Sequence, residues 1–206
     1  MNLLDSLFAR VYDPMMAGIE ERGLADQRSQ LVGGVSGDVL EIGAGTGLNL
    51  PAYPEHVKSL TLTEPSPPMA ARLRARAEQE RPDATVIDAD VHDLPFGDDS
   101  FDAVVSTLVL CSVGDQRSAL SEIRRVLRPG GQLVLIEHVA TDGLAGTAQK
   151  IFNPVQHVMG RGCDLTKDTR AAVAAAGFDV GGVVPSTMKG APPVVRTVVA
   201  GIATAP

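Results

Sequence analysis

Val39-Leu40-Glu41-Ile42-Gly43-Ala44-Gly45-Thr46-Gly47 sets a carboxylate just ahead of three glycines at alternate positions. Glycine has no Cβ, so backbone running through such a loop can pass close beneath a ligand. A dinucleotide fingerprint would place its third glycine at 48, where this chain has Leu48. A carboxylate beside the loop suits a pyrophosphate poorly. It suits a zwitterion that carries an ammonium and a sulfonium. Glu64, in Thr63-Glu64-Pro65, follows Gly45 by 19 residues, where an acid can accept hydrogen bonds from both hydroxyls of a ribose. Asp90, in Asp90-Val91-His92-Asp93-Leu94-Pro95-Phe96, could accept from an adenine amino group while the Val91 N–H reaches a ring nitrogen. Each acid taken alone reads as an ordinary loop carboxylate. At the ends of three successive strands they would converge on the crevice where open α/β sheets bind ligands.

The elements needed to hold them there are legible. Short apolar runs at 39–42, 60–63, 85–87, 101–106 and 133–136 are rich in β-branched residues and bounded by Gly, Pro and Asp, which predicts buried strands. Helices are predicted between them. Residues 68–80 are strong helix formers behind Pro67 and Pro68, with Pro82 beyond them. Residues 115–128 carry Ala119, Leu120, Ile123, Val126 and Leu127 on one stripe, with Asp115 as N-cap and Pro129-Gly130-Gly131 as the stop. Residues 167–176 form an Ala-rich helix ended by Gly177. Asp179–Val184 and Val194–Ile202 then read as a terminal hairpin, which puts one antiparallel strand into an otherwise parallel, doubly wound sheet. Ahead of the first strand, Leu3, Leu4, Leu7, Phe8 and Val11 form a helical apolar stripe. Its polar face lacks the Lys and Arg of membrane-surface helices, so a helix over the cleft is expected.

The E-x-G-x-G-x-G loop, the acid after the second strand, D-x-x-x-L-P-F and Arg-Arg-Val-Leu-Arg-Pro-Gly-Gly (124–131) occur in an order that resembles the class I S-adenosylmethionine (SAM)-dependent methyltransferases over residues 35–140. The resemblance implies a Rossmann-like, doubly wound α/β fold with seven strands in the order 3-2-1-4-5-7-6. It also implies SAM as cofactor and S-adenosylhomocysteine as product. It carries cofactor contacts onto Glu41, Gly43, Gly45, Glu64, Asp90 and Val91. The full cofactor-binding set expected is these six with Tyr12, Ala44, Gly47, Pro65, Ser106 and Thr107. Tyr12 would close over the methionine end, as similar tyrosines do in relatives. His92 stands where many relatives have an acid, and no role is carried onto it.

A narrower resemblance covers most of residues 35–205. Ser106–Val113, Glu137-His138-Val139 and Gly162-Cys163-Asp164-Leu165-Thr166 are similar to motifs of the mammalian membrane-associated alkyl-thiol methyltransferases and their bacterial relatives. Methyl transfer is an in-line displacement that needs alignment and a dry site. A thiol acceptor reacts as its thiolate, from a pKa of about 8.5. His138, at the end of the fifth strand, is the expected base. His157, Cys163 and Asp164 are expected to touch substrate, with Cys163 read as a packed thiol rather than a nucleophile. An N-, O- or C-methyl acceptor such as a lipid or quinone, a nucleotide-dependent oxidoreductase, and a SAM-binding protein without catalysis are the alternatives.

Composition sets outer limits. The 206 residues fit one domain: a helical lid over 1–34, a SAM-binding core over 35–140, a substrate cap over 141–165, and a C-terminal helix and hairpin over 166–206. The 18 basic against 25 acidic residues, a net charge of −7, argue against nucleic acid; a small-molecule acceptor is what the resemblance implies. Cys111 and Cys163 are the two cysteines. They lack metal-ligand spacing, so no metal is expected. No apolar run or leader pattern points to stable membrane insertion or export, and a cytoplasmic location is expected.

Overall fold

The computed structural model describes residues 3–206. Its elements are α1 (Leu3–Ile19), a π-helical turn (Glu20–Leu24), α2 (Ala25–Val32), β1 (Asp38–Ile42), β2 (Ser59–Thr63), α3 (Pro67–Glu80), β3 (Thr85–Ile87), β4 (Phe101–Thr107), α4 (Gln116–Val126), β5 (Leu127–His138), α5 (Gly143–Met159), α6 (Thr169–Ala175), β6 (Asp179–Thr187) and β7 (Thr197–Thr204). The seven strands form one sheet in the order β3-β2-β1-β4-β5-β7-β6. β1 to β5 pair in parallel, β6 runs in the same direction as they do, and β7 alone of the seven is reversed, antiparallel to both β5 and β6. This is the Rossmann-like sheet expected from the sequence. The order reverses between β1 and β4, which leave their helices on opposite sides and open a crevice at their carboxyl ends.

Helices cover both faces, so the central strands bury both of theirs. One apolar layer joins Leu40, Ile42, Val104, Leu133 and Leu135 to the α4 stripe of Ala119, Leu120, Ile123 and Val126. The other joins Val39, Val105 and Val134 to Leu73 and Ala77 of α3 and Val32 of α2. Asp115 caps α4 as predicted, accepting from the N–H groups of Arg117 and Ser118. Helix α4 stops at Val126, ahead of the Pro-Gly-Gly, because Leu127 already pairs with Phe101.

The Arg-rich motif, which spans the end of α4 and the start of β5, proves to be a brace. Arg125 binds Glu122 and Asp98 and donates to the carbonyls of Leu94 and Phe96. Arg128 bridges Asp38 of β1 and Asp102 of β4.

Residues 143–159 form a helix that the sequence did not signal, since Pro154 falls inside it and proline ordinarily breaks a helix interior. Gln149 anchors it: its amide donates to the Val139 carbonyl and its oxygen accepts from the Thr141 N–H. Leu144, Ile151 and Val158 project outward from α5. Helix α1 forms as expected, but its stripe divides. Phe8 faces the crevice, while Leu4, Leu7 and Val11 are exposed. Residues 1 and 2, and the side chain of Leu3, lie outside the described residues. Among the described residues, no helix is long and apolar enough to cross a membrane.

Candidate active site

The crevice holds a cavity of about 570 Å³, within the range of roughly 300–1,000 Å³ common for small-molecule sites. Four strand ends build its floor: Gly43 and Gly45 after β1, Glu64 and Pro65 after β2, Asp90 and Val91 after β3, Thr107 to Val109 at the end of β4. Phe8 and Tyr12 of α1 cover it, and Gly160 and Arg161 close it from the end of α5.

The glycine loop is held open by conformation. Gly45 has φ +61, and a Cβ there would meet the Met69 methyl at 3.6 Å and the Gly43 carbonyl oxygen at 4.0 Å. The position is therefore strained for any other residue but sterically open, which is what a cradle for a ligand requires. Gly43 has φ +55, and a Cβ there would press on Val109 at 2.8 Å.

Glu64 is 7% exposed and lines the cavity. One carboxylate oxygen accepts from the Gly45 N–H at 2.9 Å and the other from the Ser66 N–H at 2.8 Å. Burial raises its pKa, partly offset by these two donors. Asp90 accepts from the His92 N–H at 2.9 Å and lies 2.5 Å from His92 Nδ1. Burial works to raise the Asp90 pKa, but the His92 contacts outweigh it and the net shift is downward. His92, given no role from sequence, thus orients Asp90 and itself lines the cavity.

The other expected cofactor residues lie behind this surface. Glu41 is buried, with Asn49 Nδ2 donating to one oxygen at 2.9 Å and the Tyr53 hydroxyl to the other at 2.6 Å. Desolvation pushes its pKa up to about 7 against these donors. Arg28 extends the network, joining Asn49 Oδ1 at 2.7 Å to Glu20 at 3.1 Å. Ala44 donates its N–H to the Thr63 carbonyl, Gly47 packs against Leu50 and Leu73, and Ser106 is fully buried. Arg28, Asn49 and Tyr53 carry no motif, and their part in the site was not legible. Thr46 Oγ1 donates to Asp13 Oδ1 at 2.5 Å, and Arg76 reaches the same carboxylate, so α1 is latched to the glycine loop. Asp5 of α1 pairs with Arg161 across the mouth.

On the far wall, Glu137 organises the loop after β4. It is fully buried, and its carboxylate accepts from Ser106 Oγ at 2.7 Å and from the N–H groups of Val109, Leu110 and Cys111 at 3.0 Å each. Leu108, with φ +61, sits in the turn this creates. A left-handed non-glycine residue persists only where its surroundings over-determine it, and the four donors converging on Glu137 do so.

His138 does not line the cavity. It is 6% exposed, and its Nδ1 faces Cys163 Sγ at 3.4 Å and Cys111 Sγ at 3.6 Å. Asp164 accepts from Asn153 and Thr166, and its own N–H donates to the Cys111 carbonyl. It therefore stitches the cap onto the β4–α4 loop. His157 is exposed on α5, away from the cavity.

The methyltransferase-domain family matches residues 40–135. The chain is 34% identical to a human thiol S-methyltransferase, over 83% of its own length and 72% of that protein's. It is 34% identical to a phosphatidylethanolamine N-methyltransferase of Cereibacter sphaeroides, over 66% of its own length and 71% of that protein's. A SAM-dependent methyltransferase of Thermotoga maritima superposes with a TM-score of 0.73 at 23% identity, covering 97% of this chain and 96% of that one. A geranyl diphosphate C-methyltransferase of Streptomyces coelicolor, solved with S-adenosylhomocysteine, gives a TM-score of 0.68 at 17% identity, covering 87% and 77%.

Proposed function

The chain belongs to the methyltransferase-domain family and is a SAM-dependent methyltransferase of small molecules, and we propose that its acceptor is an alkyl thiol, methylated on sulfur. The thiol reading rests on the kinship with thiol S-methyltransferases over more than four-fifths of the chain.

The cavity suits SAM on its own chemistry. The space at Gly45 would be filled by a Cβ, and Glu64 is buried at the strand end where a ribose is expected. In this reading Glu64 holds the ribose hydroxyls. Asp90 and the Val91 N–H hold the adenine, with Pro65 and Met69 beside it. Gly43, Gly45 and Thr107 line the methionine half, and Tyr12 covers it. Glu41 acts one layer behind, through the loop it braces, with Ala44, Gly47 and Ser106 packed around it. Bound SAM supplies an electrophilic methyl on a sulfonium.

The protein's own task is to align an acceptor and keep water out. Leu108, Val109 and Val113 give the acceptor wall an apolar character, which fits the alkyl chain of such a thiol. Residues 1–34 serve as the lid, tied down by Asp13–Thr46 and Asp5–Arg161. Residues 141–165 serve as the cap, with Asp164 bracing it and His157 at its outer face.

The test is transfer of labelled methyl from SAM to a panel of alkyl thiols, phenols, amines, quinols and phospholipid headgroups. A methyl thioether as the principal product is expected. Transfer to a phenol, amine or quinol with every thiol inert would remove the thiol reading and leave the family assignment standing.

A further inference from the structure

Behind the acceptor wall lies a cluster whose residues do not line the cavity, although the sequence points to His138 as the base and Cys163 as a substrate contact. Cys111 comes from the loop after β4, His138 from the last position of β5, and Cys163 from the loop after α5. The three meet with Sγ to Sγ at 3.8 Å and His138 Nδ1 at 3.4 and 3.6 Å from the two sulfurs. All three are buried.

We propose that Cys111, Cys163 and His138 Nδ1 form a binding site for a borderline-soft divalent cation of the zinc class. The spacing carries the inference. A tetrahedral zinc with bonds of about 2.3 Å to sulfur and about 2.0–2.1 Å to nitrogen holds its ligands about 3.8 Å apart for S···S and about 3.6 Å for S···N. Two of the three observed separations, 3.8 Å for S···S and 3.6 Å for Cys111 Sγ to His138 Nδ1, fall on those values, and the third, 3.4 Å from Cys163 Sγ, is 0.2 Å shorter. The donor types agree as well, since thiolate and imidazole together select zinc over the hard, oxygen-seeking magnesium and calcium.

A second observation concerns His138. Its Nδ1 is presented to the two thiols, while its Nε2 is buried with no hydrogen-bond partner among the described residues. The donors are also held in advance of any ion. Glu137 accepts from the Cys111 N–H, the Asp164 N–H donates to the Cys111 carbonyl at 2.9 Å, and the Cys163 N–H donates to the Gly160 carbonyl. Asn153 fixes the same cap loop from α5, through Asp164 and the Leu165 N–H.

Two thiolates and a neutral imidazole around a divalent ion make a buried site of zero net charge. That avoids the cost of an uncompensated buried charge. Three protein ligands would supply three of the four positions of a tetrahedral zinc.

The full chain, purified under reductant with no affinity tag that binds metal, tests this directly. After dialysis against zinc, metal analysis should find one ion per chain. Replacement by cobalt(II) should give the intense visible bands of a tetrahedral ion and a thiolate-to-cobalt charge-transfer band. Cys163→Ser and His138→Asn should each weaken zinc by about a hundredfold or more, beyond the 10–100-fold typical of losing a supporting residue. Circular dichroism and thermal unfolding verify that each variant is folded, and Cys111→Ser provides an independent arm if one fails. A reduced, folded chain that takes up neither zinc nor cobalt at micromolar concentration would overturn the site. So would binding retained in all three variants. Ready closure of a Cys111–Cys163 disulfide in a chain that binds no metal would also overturn it, and make the pair a redox element. None of these outcomes depends on which acceptor is methylated.

Discussion

Glu137→Gln probes the acceptor wall with almost no change in shape. In the native chain one carboxylate oxygen takes three donors, Ser106 Oγ and the N–H groups of Val109 and Leu110, and the other takes the Cys111 N–H. The amide oxygen of Gln can keep the first three. Its NH₂ then confronts the Cys111 N–H, donor against donor, and a buried N–H left unpaired costs about 1–3 kcal/mol. The three retained bonds fall from charge-assisted to neutral strength, a further loss of about 1 kcal/mol each at most, offset in part because no charge remains buried. The net expectation is a destabilisation of about 2–4 kcal/mol, below the roughly 5–15 kcal/mol that holds a typical domain. The variant should fold. Equilibrium urea unfolding at pH 7.5, with and without saturating SAM, measures it. The loss should appear as a lower midpoint at unchanged slope, and as a melting temperature lower by about 5–15 °C for a chain of this size. Because the loosened loop is the cavity wall, methyl transfer should fall more than SAM affinity does. A variant within about 0.5 kcal/mol of the native protein, the range of ordinary surface changes, with unaltered turnover, would refute the reasoning that Glu137 holds this loop.

Three further outcomes are expected. Gly45→Ala should cost about 1–2 kcal/mol of stability, because φ is +61 there. It should weaken SAM by at least about tenfold by placing a methyl in the cradle; calorimetry showing native SAM affinity in the folded variant would move the cofactor elsewhere. Glu64→Ala should weaken SAM by about 1–3 kcal/mol through lost charge-assisted hydrogen bonds, and equal affinities in the two proteins would reduce Glu64 to a brace for Gly45 and Ser66. Glu41 has a folded pKa of about 7, above its ordinary value of 4.5. The folded state therefore binds more protons than the unfolded between those values, and stability falls as pH rises from about 4.5 through 7, by on the order of 3 kcal/mol. Urea titrations at pH 5 and pH 8 should show that loss in the native chain and a reduced loss in Glu41→Gln; identical pH profiles would assign the dependence to other groups.

The sequence alone determined the parts of this protein whose signals are local. Strand and helix periodicity, the Asp115 cap and the positions of Gly43, Gly45, Glu64 and Asp90 at strand ends are each written within a few neighbouring residues. Together with resemblance they led to the sheet order and to the crevice at the strand ends. Tertiary structure decided whatever depends on residues far apart in the chain. Glu41 reads in sequence as a ligand contact; in the fold it is turned inward onto Asn49 and Tyr53, because those two donors approach from the loop that follows. Helix α5 crosses a proline that local rules treat as a breaker, held by the reach of Gln149 to the end of β5. Glu137 gains its four donors only because β4 and β5 pair in a register that sets Ser106 beside Leu135 and Thr107 beside Ile136. The same pairing, with the cap folded over it, brings Cys111, His138 and Cys163 within 4 Å of one another. Their separations of 25 and 27 residues match no linear metal motif. Short-range pattern encodes which face of an element is apolar, but a meeting of three side chains is fixed by strand order and register, which exist only once the chain has folded.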